Sequence, residues 1–104
     1  MDSLKMWADD LSFHQDSGPG INDITSKVTD MVLKSGIQNG SAAVTAVGST
    51  GSVTTIEFEP GVVQDLKDAV NRLAPREAVY QHELAWHDGN GHSHVQAALI
   101  GPSI

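Results

Sequence analysis

The chain has 104 residues, the size of one domain, and a formal charge of −7 from 13 acidic and six basic residues. That balance argues against gripping a phosphate backbone without a cation or a partner subunit, so nucleic acid is not an expected partner. Cysteine is absent, which excludes disulfides and thiolate metal sites, and no run approaches the ~20 apolar residues of a membrane span. The opening MDSLKMWADD is acidic and lacks the apolar run of a secretory signal. A single cytoplasmic domain over residues 1–104 is the expectation. Its core would be mainly Val, Ile, Leu, Ala and Met, because only five aromatic residues are present.

In chain order, Leu4 to Phe13 reads as a strand or a bent pair of strands. Leu4, Met6 and Ala8 share one parity, Leu11 and Phe13 the other, with a bulge at Asp9-Asp10 to switch faces. Ser17-Gly18-Pro19-Gly20 is turn chemistry. A helix follows, with Ile24, Val28, Met31 and Val32 on one stripe, Asp23 or Thr25 as its cap and Gly36 as its left-handed end. Asn39-Gly40 marks another turn.

Ala42 to Val47 and Ser52 to Phe58 read as two strands around the corner Gly48-Ser49-Thr50-Gly51. Pro60 can open a second helix, striped by Val62, Leu66, Ala69, Val70 and Leu73 and stopped by Pro75. A short strand over Val79 to Leu84 and a last strand to about Ile100 complete the expectation. The fold class read from this pattern is α+β, a compact and mostly antiparallel β-sheet or sandwich with two helices.

Four of the five histidines fall within His82 to His94, HELAWHDGNGHSH, together with Glu83, Asp88 and Asn90. On a strand, His92, His94 and Gln96 would share one face and Val95, Ala97 and Leu99 the other. Imidazoles two apart on a strand face have Cα atoms about 6–7 Å apart. Both rings could then reach one ion at the ~2.0–2.1 Å bond lengths of zinc. His82, His92 and His94, or two of them with Glu57 or Asp88, form the candidate metal set. So nitrogen-rich a set favours zinc or another first-row metal over calcium or magnesium. The competing reading is a polar loop whose histidines are solvated or bonded to one another.

GSTGSVTTIEFEPGVVQDL, then LAP, then YQHELAWHDGNGHSHVQAALIGPS, resembles the YjbQ family, UPF0047, and FHQDSGPGINDIT fits the same family's N-terminal region. The resemblance implies a compact α+β homotrimer. It also implies thiamine-phosphate synthase activity, joining a pyrimidine diphosphate to a thiazole phosphate with release of pyrophosphate. The family's shared polar positions fall here on Glu57, Asp65, His82, Asn90 and His94. Gly48 stands where many members carry histidine, ahead of Ser49 and Thr50, and His92 stands where they carry proline. Members usually continue past this point through a Gly-rich strand and an arginine-bearing end, so the domain is expected to lack the usual C-terminal strands.

Each role has a plainer counterpart. Glu57, His82 and His94 are the candidate catalytic residues, with Glu57 a ligand or a general base bonded to a histidine, and an edge-strand carboxylate facing water as its plainer reading. Ser49, Thr50, Asp65 and Asn90 are candidates for binding a small phosphate substrate. The corner could offer backbone N–H groups to that phosphate, or simply turn the chain. Asp65 could orient a histidine, or lie on a solvated helix flank. Asn90 between two glycines is also a turn residue. The alternative function is a non-catalytic metal-binding or structural trimer.

Overall fold

The computed structural model describes residues 3–104. The chain forms two compact units, one ending at Ala42 and the other running Ala43–Ile104.

In the first unit, α1 spans Thr25–Ser35. Ile24, Val28 and Met31 are half-buried along the expected stripe, while Val32 is exposed. Asp23 braces the start of the helix by accepting from the Thr25 hydroxyl at 2.6 Å and the Thr25 amide at 2.9 Å. These donors hold its carboxyl below the ordinary aspartate range. At the other end Gly36 takes φ 71°, the left-handed conformation that glycine adopts without a Cβ penalty. Lys27 lies over the Phe13 ring at 5.2 Å.

The second unit holds three helices and one short ladder. The α2 helix spans Pro60–Leu73, with Pro60 in its first turn where a missing N–H costs nothing. Glu59 caps it with both carboxylate oxygens, which accept from Gly61 N at 2.7 Å and Val62 N at 2.9 Å. Val70 and Ala74 are buried at its C-terminal end, whereas Leu73 is largely exposed. The α3 helix is a short piece, Gln81–Trp86, and α4 spans Gly91–Ile100. Gln96 of α4 is buried, and its amide donates to Ala74 O at 2.9 Å and Asn71 Oδ1 at 3.2 Å. It thereby satisfies groups at the end of α2 that the helix leaves without partners. Beyond α4, Ile104 and Val44 exchange N–H···O bonds of 3.0 and 2.9 Å, and Ala46 N donates to Pro102 O at 2.8 Å.

The mostly antiparallel sheet is therefore not the architecture. The α+β expectation, sandwich included, gives way to a helical protein in which Thr45 and Ser103 form an isolated antiparallel bridge. Both intended helices are present; the intended strands are not. Residues 4–13 carry no regular structure, and Leu4 and Met6 are each 89% exposed. Their alternation has no neighbouring strand to complete a ladder. The Val79–Leu84 segment becomes α3 from Gln81 onward, and His92–Ile100 lies within α4. Short apolar runs fit either period, and here Ala97, Ala98 and Leu99 favour a helix.

The Glu59 cap predicts a pH signature. Gly61 and Val62 amides hold its carboxyl below the ordinary value of 4.5. A depressed carboxyl stabilises the folded state fully above the unfolded value, and this is lost as pH falls through the folded one. Thermal unfolding of Glu59→Ala should show a lower Tm than the parent at pH 7, with the gap closing below about pH 4.

Candidate functional site

The α3 and α4 helices meet at a corner built from the His82–Asn90 segment. His87 ends α3 with φ 58° and Gly89 follows at φ 70°, so two left-handed residues reverse the chain. The reversal brings Asp88 and Asn90 back over the first turn of α3. His82 Nε2 lies 2.8 Å from Asp88 Oδ1 and 2.8 Å from Asn90 Oδ1. Both partners are acceptors, so in this arrangement Nε2 carries the proton. Glu83 Oε1 accepts from the Gly91 amide at 2.5 Å, a charge-assisted bond that fixes the start of α4. Tyr80 donates its hydroxyl to Pro75 O at 2.5 Å. Burial, with Glu83 and Glu77 adding negative charge, raises the phenol above its ordinary value and keeps it a donor at neutral pH.

His94 links this corner to the small-residue turn. Its ring meets that of His82 edge to face, with centroids 4.6 Å apart. Its Nδ1–H donates to Ser49 O at 3.1 Å. Beside it lies a pocket of about 390 Å³ whose walls include Gly48, Ser49, Gly51, His94, Ala97 and Pro102. Its lining is mostly small residues, with His94 the titratable side chain among them.

The fold thus gathers four of the expected residues, Ser49, His82, Asn90 and His94, into one region. Glu57 is exposed in irregular backbone, and Asp65 is exposed on α2; neither makes a side-chain contact with the histidines among the described hydrogen bonds. Thr50 is exposed next to the pocket. His92 is buried, with Nε2 3.3 Å from the Ser93 hydroxyl. Its shared face with His94 depended on a strand. On a helix, positions two apart are turned by about 200° and diverge.

Among the described residues, His82, Glu83 and Asp88 each offer a ligand atom, all within 4.8 Å of one another. Their mutual spacing is that of hydrogen-bonded neighbours at the corner, with His82 Nε2 already paired to Asp88 Oδ1. His92 and His94 are not in that group. The sequence signal for Glu83 was its place beside His82; what linear spacing could not show was the reversal at His87 that closes Asp88 onto them.

A small helical protein with a histidine, carboxylate and carboxamide cluster beside a pocket is the class this geometry defines. The profile described as "UPF0047 protein YjbQ-like" matches residues 9–104. The chain belongs to that family. It is also similar to a UPF0047 protein from Methanothermobacter thermautotrophicus, with 29% identity over 100 residues covering 96% of this chain and 68% of the relative.

The tightest packing of the corner is at Gly91, where an added Cβ would lie 2.7 Å from Glu83 Oε1 and 2.7 Å from Tyr80 Cβ. Gly91→Ala should therefore destabilise the protein by roughly 1–3 kcal/mol, as overpacked sites do. Urea denaturation followed by far-ultraviolet circular dichroism measures this.

Proposed function

We propose that the protein forms thiamine phosphate, joining a pyrimidine diphosphate to a thiazole phosphate at the α3–α4 corner. The observation that carries this reading is the contact of His82 with both Asn90 and His94, three polar positions of the family motif in one place. In the reaction the bond between the pyrimidine methylene carbon and the diphosphate oxygen breaks. The thiazole nitrogen lone pair forms the new C–N bond, and pyrophosphate leaves with the electron pair.

The protein's task is to orient the two rings and to stabilise charge on the leaving group. A divalent cation held at the corner would supply Lewis-acid stabilisation of the diphosphate, offsetting the protein's acidity. His94, at the pocket and already a donor to Ser49 O, is placed to hold a proton toward an anionic group. The Gly48–Ser49 turn and the Asn90 carboxamide serve as polar contacts for the substrate. Glu57 acts as a base or carboxylate partner only if substrate binding draws its segment inward. A cytoplasmic setting suits a cysteine-free chain acting on phosphorylated intermediates.

A second reading, a non-catalytic trimer, draws on a different observation. Val47, Leu73, Val79 and Trp86 are 97%, 70%, 83% and 72% exposed, apolar surface of the kind that subunit contacts cover.

A coupled assay for pyrophosphate decides between them. The enzyme reading expects release only when both substrates are present, with His94→Ala lowering kcat/KM by roughly 10²-fold or more. No release at any metal supplement, from a protein that sediments as a trimer, would establish the structural reading instead.

A further inference from the structure

The extended segment around Thr45 is bonded along one side only, and its bonding pattern defines what the other side can take. We propose that two copies of this chain pair through that open side, residues 43–47 running antiparallel about a two-fold axis at Thr45. The inference is independent of the chemistry proposed for the α3–α4 corner.

Backbone direction is the first support. Val44 exchanges both its N–H···O bonds with Ile104, and Ala46 N donates to Pro102 O. Backbone groups alternate sides along an extended chain, so Ala43, Thr45 and Val47 aim their N–H and C=O groups the opposite way. Among the described residues those groups have no protein partner. All three residues are exposed, Val47 to 97%. A row of free backbone groups is a template for another extended chain.

Composition is the second. Charged residues and proline commonly guard such edges against pairing. No charged residue lies between Lys34 and Glu57, and no proline between Pro19 and Pro60. The open edge therefore carries none of these guards, in a chain where 18% of residues are charged.

Register is the third, and it selects a second copy. With Thr45 opposite Thr45, residues 43 and 47 fall opposite each other, and every outward-facing residue meets another. That register exchanges about six N–H···O bonds across the seam. Its side-chain pairs are Thr with Thr and Ala with Val, and no like charges oppose. It also joins the two short ladders into one sheet, and a ladder of two strands is marginal by itself. No residue of the seam is charged, so the formal charge of −7 on each copy acts from elsewhere on the surface. At physiological salt, charges more than ~8 Å apart are largely screened. A one-strand seam is small beside a standard interface, so the association is expected to be reversible and concentration-dependent.

Sedimentation of the purified chain over a concentration series at physiological salt tests this. The parent should double in mass as its concentration rises. Thr45→Lys and Thr45→Glu each set like charges against each other at the axis, and each alone should weaken association by roughly tenfold or more. Far-ultraviolet circular dichroism should stay unchanged, because the Thr45 side chain is exposed and its backbone groups lie outside the internal ladder. Mixed in equal amounts, the two variants should recover the parent's association, since lysine then meets glutamate across the axis. A parent that stays monomeric at every concentration would overturn the proposal. So would a trimer unmoved by either variant, which places the contact on other residues. Variants that weaken association and fail to recover on mixing would likewise overturn it, because residue 45 is then not opposite itself.

Discussion

The buried amide of Gln96 is the contact on which the helical unit depends. It reaches from α4 to the last carbonyl groups of α2, and its two N–H groups serve Ala74 O, Asn71 Oδ1 and, at 3.4 Å, Val70 O. A helix end shielded from water needs partners for its carbonyls. Gln96 supplies them from a neighbouring helix, and so ties the position of α4 to that of α2. Val70, Ala74 and Ala97 are the buried apolar residues, and the Val70 and Ala74 carbonyls are among those the amide serves. With so little buried apolar area, a directional contact fixes the helix register that side-chain packing alone would leave loose.

The geometry of the α3–α4 corner follows from where α4 lies. Its first residue is held by Glu83, its second turn presents His94 to His82 and Ser49, and its last turn leads into the Pro102–Ile104 pairing with Val44–Ala46. One helix therefore touches the polar cluster, the pocket and the short ladder. Polar groups from α3, the reversal and α4 are set relative to one another by side-chain bonds to backbone and to one another.

Much of the helical half was legible in the residues. Ile24, Val28 and Met31 announced α1, Gly36 its end, Pro60 the start of α2 and Pro75 the segment beyond it. Family membership was legible too, from motifs spread along the chain. The strands were not, for a physical reason: alternation describes a face, and a face becomes a strand only when another strand pairs with it. HSHVQAALI satisfies the period of a strand and nearly that of a helix. The Gln96 contact and the Glu83 bond to Gly91 then decide for the helix through tertiary structure. The Glu59 cap was missed because glutamate is not among the preferred capping residues. Asp88 was readable as a companion of the histidines, but its direct bond to His82 was not, because it turns on His87, a non-glycine residue in the left-handed region.

The central claim is that the histidine segment is a helical corner in which His82 meets His94. A nuclear Overhauser spectrum with assigned histidine ring protons tests it most directly. The structure predicts a cross-peak between the His82 and His94 rings, together with helical sequential amide contacts from Gly91 to Ile100. Strong extended-type contacts along His92–Ile100, with the His92 and His94 rings close to each other and His82 remote, would contradict it.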